Sequence, residues 1–251
     1  RCLDCHNVSE TVNAQLVCSF QTGDELAAGY LAGKQDCAGC HMREIRTGSS
    51  PARHRHSFIG GGVAKNYDLL RQQNKAGYVS ALQFSLQDVK KASGGLTANL
   101  AVINSGTGHR VPTGDPERFV ELRLSALDRR GKTLAEKNER IGQTWQWSPV
   151  ARKIADNRLL PGEKREIHFA LNTPAETDSV VLAVRHIRLT AENAQYMKHD
   201  AAQAEKPYAA KIAQIESHYP FSRLIYRETL KLSTGMRTIA SAAELERLSA
   251  A

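Results

Sequence analysis

Two short clusters of cysteine and histidine near the start of the chain have the spacing that covalent haem attachment requires. Residues 2–6 read CLDCH and residues 37–41 read CAGCH. Two thiols three positions apart can reach the two vinyl groups on one edge of a porphyrin, and the next residue can direct its imidazole to the iron. The pattern therefore predicts two haem c groups per chain. The attachment residues are Cys2, Cys5, Cys37 and Cys40, and the first axial ligands are His6 and His41.

Two other kinds of site also use closely spaced cysteines: a zinc site with four thiolates and a pair of redox disulfides. Neither needs a histidine directly after each cysteine pair, so the repeated histidine favours haem. The fifth cysteine, Cys18, has no histidine after it. Two interpretations of Cys18 stay open: a small buried apolar side chain, or the disulfide partner of a cysteine on a missing segment or another chain.

A haem iron that does not bind substrate needs a sixth ligand, and this chain is rich in histidine and poor in methionine. After His6 and His41, seven histidines remain: His54, His56, His109, His168, His186, His199 and His218. Of the three methionines, Met42 directly follows a first axial ligand and points the wrong way for that haem. Coordination by two histidines is therefore expected, and it gives lower reduction potentials than histidine with methionine.

Two glycine-rich segments place histidines where the backbone can approach a porphyrin face closely. Residues 53–62 read RHRHSFIGGG and contain His54 and His56, and residues 104–114 read NSGTGHRVPTG and contain His109. A CxxCH motif followed by H-x-F-x-G-G, and then by G-H-R-x-P-T-G before a strand-rich segment, resembles the multihaem c-type cytochromes of the cytochrome c554-like group. The resemblance covers about residues 2–190.

The resemblance implies a fold and a set of ligands. Members of the group carry a β-sandwich after the haem-binding part, and the histidines of the two glycine-rich motifs serve as distal haem ligands. His56 and His109 are therefore expected as the sixth ligands, and the haem that each one serves stays open. Most members carry four or more haems, whereas two attachment motifs are present here. One of these histidines could therefore serve a haem of a missing segment or of a neighbouring subunit.

The other histidines have more ordinary expected roles. His54 lies between two arginines and is expected on the surface, and His168 and His186 fall in the middle of predicted strands, where packing or hydrogen bonding is the usual role. His199 and His218 lie in the C-terminal part and are expected in solvent. The alternative ligands that we retain are His54, His186 and His218.

Residues 1–92 are predicted to form the haem-binding segment, made of loops and short helices. Helices are expected at 23–33 and 63–73, and a strand or helix is expected at 79–91. Aromatic residues make up 6% of the chain, which is low for its length. Haem groups that replace part of an ordinary apolar core would account for this composition.

From residue 94 the apolar residues alternate with period two, as in half-buried strands. Strands are expected at 96–104, 119–127, 133–137, 140–147, 165–171 and 180–189, with turns at 129–132 and 160–163. This pattern predicts an antiparallel β-sandwich over residues 93–190. Residues 191–251 are expected to form a helical C-terminal arm, with a strand possible at 224–232. The predicted fold class is α+β: a dihaem segment, a β-sandwich and a helical arm.

Composition and motif chemistry limit the partners and the compartment. Lys+Arg 34 against Asp+Glu 26 gives a net charge of +8, which would steer an acidic redox partner; further haem subunits or self-association are also expected. No recognition helix or base-stacking motif supports nucleic-acid binding, and no apolar run approaches the roughly 20 residues of a transmembrane helix. Covalent haem attachment occurs outside the cytoplasm, so a periplasmic or extracellular location in a bacterium or archaeon is expected, with the signal sequence absent from this chain.

Two functions from different classes fit these features. The first is an electron carrier whose two haems relay single electrons between redox proteins or along a multihaem assembly. The second is a dihaem enzyme, a peroxidase or a small reductase of nitrogen compounds or oxyanions, with one haem open to substrate. The enzyme would need acid and base groups beside the open iron. The sequence shows no compact group of this kind, so electron transfer is favoured.

Overall fold

Antiparallel β-strands and short helices make up the part of the chain that the computed structural model describes, which is residues 2–42, 44–45, 48, 51, 53–54, 80–203, 209–218 and 221–249. This architecture confirms the α+β class. The chain divides into two compact units. The motif unit comprises Arg1–Gln83, Val102–Pro116 and Gly142–Arg165, and the sheet unit comprises Phe84–Ala101, Glu117–Ile141 and Glu166–Ala251.

The elements have the following bounds. The strands are β1 (Ser9–Asn13), β2 (Leu16–Ser19), β3 (Glu44–Ile45), β4 (Arg53–His54), β5 (Leu82–Ala92), β6 (Gly95–Asn104), β7 (Phe119–Leu127), β8 (Thr133–Gln146), β9 (Arg152–Asp156), β10 (Lys164–Asn172), β11 (Ser179–Ile187), β12 (Ser222–Lys231) and β13 (Arg237–Ile239). The helices are α1 (Leu3–His6), α2 (Thr22–Ala27), α3 (Cys37–His41), α4 (Ala191–Gln203), α5 (Ala209–Ala213), α6 (Ile215–His218) and α7 (Ala242–Ser249).

Strand β7 shows how the alternating sequence builds the sheet unit. Val120, Leu122, Leu124 and Ala126 are buried, and the residues between them are partly exposed, because successive side chains of a strand point to opposite faces. Strand β11 pairs antiparallel with β7 on one side and with β12 on the other. In this unit the strand orders are β13–β12–β11–β7–β8 and β10–β6–β5. The packing of these strands as a sandwich stays a prediction.

The C-terminal part of the chain contains sheet as well as helix. Strand β12 confirms the strand that was possible at 224–232, and β13 pairs antiparallel with it. Leu224, Ile225 and Leu230 are buried on β12, which explains why this stretch joins the sheet instead of forming a surface arm. Helix α7 is tied to β12 by the Leu224 N–H, which donates to Ser249 Oγ at 2.9 Å. Among the described residues, no helix is long and apolar enough to cross a membrane.

In the motif unit, the helix predicted at 23–33 is shorter than expected. Helix α2 ends at Ala27, and turns follow in which the Gly29 N–H donates to the Leu26 carbonyl at 3.1 Å. A Cβ atom on Gly29 would lie 2.5 Å from the carbonyl oxygen of Gly108. Only glycine allows the two backbone segments to approach this closely.

Three strand features differ from the sequence prediction. Strands β1 and β2 form an antiparallel pair that was not predicted, with a turn in which Asn13 Oδ1 accepts the Gln15 N–H at 2.8 Å. Strand β8 is one strand of 14 residues where two were predicted, and it pairs with the unpredicted β9 from Gln143 onward. Strand β5, Leu82–Ala92, lies in the segment for which a strand or helix was expected, and the helix predicted at 63–73 lies outside the described residues.

The interiors of the two units have different chemistry. Among the described residues, the buried apolar side chains of the motif unit are Leu82, Val102, Pro112, Pro116 and Leu159, whereas the sheet unit has many on β6, β7, β10 and β11. The buried polar residues of the motif unit are Ser19, Glu25, Asn104, Gln143 and Arg158. Hydrogen bonds and ion pairs therefore satisfy much of the interior in the described part of this unit.

Candidate functional site

Each cysteine–histidine cluster forms a single helical turn. In α1, the His6 N–H donates to the Cys2 carbonyl at 2.9 Å, and Cys2 itself has helical backbone angles. In α3, Asp36 caps the N-terminus by accepting the Gly39 N–H at 2.7 Å. Residues i, i+3 and i+4 lie on one face of a helical turn. The two thiols and the imidazole of each cluster are therefore on the same side of the backbone.

The structure brings the two clusters next to each other. Burial raises the pKa of the Cys37 thiol, and the neighbouring Cys2 thiol raises it further. All five cysteines are free, and Cys18 is exposed, so its interpretation as a buried apolar residue is wrong. In the described part of the chain, no three His, Cys, Asp or Glu side chains form a group that could hold a metal ion alone.

The central feature of the motif unit is the pair of rings of His41 and His109. The ring centres are 6.2 Å apart and the ring planes differ by 13°. In metal complexes an imidazole nitrogen lies about 2 Å from the metal and the ring centre roughly 1 Å farther out, so two rings that share one metal have centres about 6 Å apart. The observed spacing therefore fits axial coordination of one haem iron by His41 and His109.

The second ring nitrogen of His109 is held in the way that metal-binding histidines require. His109 Nδ1 lies 2.9 Å from the carbonyl oxygen of Arg110. Because a carbonyl oxygen can only accept, it selects the tautomer with the proton on Nδ1 and leaves Nε2 available to a metal. Hydrogen bonds of this kind fix the ring orientation and raise the basicity of the ligand.

The electrostatic surroundings of His41 favour its neutral form. Burial lowers the pKa of His41, and the neighbouring His109 and His6 lower it further. Metals bind the neutral imidazole, so a lowered pKa places His41 in the form that coordination needs.

Asn104, at the end of β6, holds the loop that carries His109. The Asn104 side chain is fully buried, and its Nδ2 donates to the carbonyl oxygens of His109 at 3.0 Å and Leu160 at 3.1 Å. The Thr107 hydroxyl lies 2.8 Å from Asn104 Oδ1 and 2.7 Å from the His109 carbonyl oxygen. Both acceptors compete for the one Thr107 proton, so the bond from Asn104 Nδ2 is the firm hold on the His109 carbonyl oxygen.

Close packing against Gly108 limits the loop further. A Cβ atom on Gly108 would lie 2.8 Å from Leu26 Cδ1 and 3.0 Å from Leu31 Cδ1. Both atoms are the ends of flexible leucine side chains, so a small residue at position 108 would displace these side chains first. The backbone contact that requires glycine is the one at Gly29, which faces the Gly108 carbonyl oxygen.

A buried ion-pair network, which we call the carboxylate clamp, is formed by Glu25, Arg158 and Asp156. Arg158 Nη1 donates to Glu25 Oε1 at 2.5 Å, and its Nε and Nη2 donate to the two oxygens of Asp156 at 2.9 and 2.8 Å. The side chains of Arg158 and Glu25 are 3% and 5% exposed. Burial alone would lower the pKa of Arg158, but its hydrogen bonds and charge interactions with Asp156 and Glu25 raise it.

The clamp reaches the His109 loop through a threonine. Thr113 donates its hydroxyl proton to Glu25 Oε2 at 2.7 Å. Because a hydroxyl has one proton, the second contact of Thr113, at 2.8 Å to the Thr22 hydroxyl, is donated by Thr22. The segment that follows His109 is therefore bonded to the same carboxylate that binds Arg158.

Two of the other histidines considered as ligands lie on strands of the sheet unit. His186 is buried in β11, where it pairs with Val120 of β7 and Arg223 of β12. His168 is exposed on β10, and its Nδ1 lies 2.9 Å from Asn99 Oδ1, in agreement with the hydrogen-bonding role expected for it.

The remaining predicted ligands are described only in part. The backbone of His54 pairs with Glu44 in the short β3–β4 ladder, and the backbone of His218 ends α6; their side chains lie outside the described residues, as does the whole of His56. The pairing of His56 with a haem therefore stays a prediction.

The residues that hold the His109 loop were not predicted from the sequence. Glu25, Arg158 and Asp156 carry no motif, and the bond from Arg158 to Glu25 joins residues 133 positions apart. Asn104 was visible only as the first residue of the glycine-rich segment. The one available signal was the position of Asn104 at the end of an apolar strand, where a polar side chain can bond the following loop.

Comparisons with known proteins show a likeness in fold. No known family profile matches the chain, and no curated protein matches its sequence. A penta-heme cytochrome c552 from Thermochromatium tepidum has a similar solved structure, with a TM-score of 0.59 and 20% sequence identity. The match covers 92% of this chain and 55% of that one, so the chain spans about half the length of that cytochrome.

The similar structure belongs to a c-type cytochrome with several haems, the broad class that the sequence motifs predict. At this level of identity the likeness shows the fold alone. The narrower resemblance to the cytochrome c554-like group stays a prediction.

The clamp predicts a dependence of stability on pH. Burial alone would raise the pKa of Asp156, but the hydrogen bonds and charge of Arg158 outweigh burial and lower it. A carboxyl with a lowered pKa stabilises the fold above its unfolded value of about 3.9 and loses this contribution as the pH falls through the folded value. We expect Asp156→Asn to lower the free energy of unfolding by about 2 kcal/mol at pH 7, and by less below a pH of about 4.

The measurement is urea unfolding at pH 7 and pH 3. Glu139→Gln is the matched control, because Glu139 is 39% exposed and its contact with Lys137 is 3.8 Å. The control variant should have the same free energy of unfolding as wild type at both pH values. An effect of Asp156→Asn that is equally large at both values would contradict the prediction.

Proposed function

We propose that the chain is a c-type cytochrome that carries two covalently attached haems and passes single electrons between redox proteins or along a multihaem assembly. The observation that carries this proposal is the spacing of the His41 and His109 rings next to the second cysteine turn. The many buried polar residues in the described part of the motif unit also support it, because bound porphyrins would add apolar surface to this interior. The fold shared with a penta-heme cytochrome agrees with this proposal.

The residues of each turn have defined roles in this proposal. Cys37 and Cys40 hold one haem by thioether bonds, and His41 and His109 fill its two axial positions. The bond from His109 Nδ1 to the Arg110 carbonyl orients the distal ring. Cys2 and Cys5 hold the other haem, whose axial ligands we propose to be His6 and His56.

Haem c supplies a centre that gains or loses one electron without any change in its attachment to the protein. For such a transfer the chain needs to keep the ligands fixed, exclude solvent from the ring faces and place two haems close together. Cys2 raises the pKa of Cys37 and His6 lowers that of His41, which supports a close placement of the two attachment turns. Coordination by two histidines leaves no position for substrate at the second turn, which favours an electron carrier over the dihaem enzyme considered above.

The proposed partners are redox proteins with acidic surfaces, because the net charge of the chain is +8. Exposed basic residues such as Arg129, which is 91% exposed, are available to such a partner. Further haem subunits or a second copy of this chain are the other partners that we propose. The proposed location is the periplasm or the outside of a bacterial or archaeal cell, where covalent haem attachment takes place.

Haem counting tests the attachment residues. We expect the double substitution Cys37→Ala and Cys40→Ala to remove one of two haems, because both thioether bonds of the second turn are lost. The pyridine haemochrome absorbance per chain, together with the intact mass, gives the count. Cys18→Ala is the matched control, since Cys18 is a free cysteine outside both turns, and it should keep both haems. Retention of both haems by the double variant would refute the attachment.

A second experiment tests the distal ligand. We expect His109→Ala to open one haem to carbon monoxide and cyanide and to raise its reduction potential by on the order of 0.1 V, because a basic ligand is removed. Optical spectra with and without each ligand, and a spectroelectrochemical titration, measure the change. His168→Ala, which alters an exposed histidine bonded to Asn99, is the control and should behave like wild type. Wild-type spectra and ligand binding in His109→Ala would show that His109 is not a ligand.

A further inference from the structure

Arg158 joins two carboxylates in the interior of the motif unit. Its three side-chain nitrogens donate to Glu25 and Asp156, and 3% of the side chain is exposed. A buried ion pair adds little net stability compared with well-packed apolar side chains, whereas its hydrogen bonds are strongly directional. The clamp is therefore better suited to fixing positions than to raising stability.

The clamp joins α2 to the loop that carries His109. Glu25 lies in α2, whereas His41 lies in the separate helix α3. On the other side, Leu159 follows Arg158 directly and pairs with Val111 through two backbone hydrogen bonds of 3.0 Å each. Since Val111 is two residues after His109, a displacement of Arg158 would be transmitted to the loop within a few bonds.

A second set of hydrogen bonds connects the clamp to the same loop. Thr113 donates to the Glu25 oxygen that Arg158 does not bind, and Thr22 donates to Thr113. The loop after His109 is thus bonded to the clamp at Glu25 as well as at the backbone beside Arg158. Together, the Val111–Leu159 backbone bonds and the Thr113–Glu25 hydrogen bond hold the loop at a fixed distance from α2.

We propose that Arg158 is a positioning residue that holds His109 opposite His41, through Glu25 and through the Val111–Leu159 backbone pair. The inference rests on the proposed coordination of a haem iron by the two histidines. Arg158 touches neither ring; it holds the loop that carries His109 to α2. Loss of the clamp therefore weakens the sixth ligand and leaves the attachment of the haem intact.

The chemistry of the clamp requires arginine in particular. The planar guanidinium binds Asp156 with two nitrogens and Glu25 with a third at the same time. A lysine offers one compact ammonium group and can reach one of these carboxylates in this geometry. Arg158→Lys is therefore expected to keep the charge and lose much of the positioning, which separates the role of geometry from that of charge.

The experiment compares Arg158→Met with Arg237→Met in the full holoprotein. Arg237 is the matched control, because it pairs with Glu228, a carboxylate that is 3% exposed, and donates to the Leu86 carbonyl at 2.8 Å, all within the sheet unit. Both variants break an ion pair to a buried carboxylate. Only Arg158→Met removes bonds that hold the His109 loop. The readouts are haem content, the optical spectrum, carbon monoxide binding to the reduced protein, and the thermal midpoint.

We expect both variants to keep their haems and to unfold at a lower temperature. Arg158→Met should also increase the affinity of one haem per chain for carbon monoxide by about 10- to 100-fold, the range typical when a residue supporting a metal ligand is removed. Arg158→Lys should lie between wild type and Arg158→Met, and Arg237→Met should match wild type in carbon monoxide binding.

Three outcomes are distinguishable. Haem-containing Arg158→Met that unfolds early and still excludes carbon monoxide would overturn the positioning role and leave the proposed function intact. The proposed function itself would be overturned if the wild-type protein contained no haem, or if its haem at Cys37 and Cys40 already bound carbon monoxide. If Arg158→Met does not fold, Glu25→Gln and its control Glu228→Gln replace the first pair, and equal carbon monoxide binding in these two variants would overturn the role.

Discussion

The facing rings of His41 and His109 are the constraint on which the arrangement of the motif unit depends. One ring sits on a helical turn whose five residues are adjacent in sequence, and the other sits on a loop with no regular structure. Ligand geometry tolerates errors of only about 0.5 Å, so a loop that supplies a metal ligand has to be held rigidly. That rigidity comes from three features: the hydrogen bonds of Asn104, the close approach of the Gly29 and Gly108 backbones, and the carboxylate clamp.

Polar bonds can serve this purpose because, in the described part of the motif unit, polar side chains make up much of the buried interior. Apolar packing is non-directional and leaves a surface loop free to slide, whereas a hydrogen bond to a buried amide or carboxylate fixes both distance and angle. These bonds also impose a condition: each buried polar group must have a hydrogen-bond partner, because an unpaired group lowers the free energy of unfolding. Asn104 satisfies this requirement by bonding several loop carbonyls at once.

The sequence predicted the features that are local or periodic. The helical turns around the cysteines depend on five consecutive residues, and strand β7 follows from strict alternation of buried and partly exposed residues. The clamp could not be predicted in this way, because Glu25 and Arg158 are distant in sequence and each looks like an ordinary surface charge. The β1–β2 pair was not predicted for a related reason. Its residues are largely polar and exposed, so the sequence shows no alternation of apolar residues there.

The way in which the His109 loop is held also bears on the choice between a carrier and an enzyme. An enzyme that binds substrate at iron needs a sixth position that can open, and segments that open are those with few buried bonds. Here the loop from His109 to Thr113 is bonded by Asn104 at one end, by Leu159 in the middle and by Glu25 at the other. All these bonds would oppose release of the His109 ring. For the haem coordination proposed above, a ring held this firmly suits a centre that changes charge and keeps its ligands, which is the requirement of electron transfer.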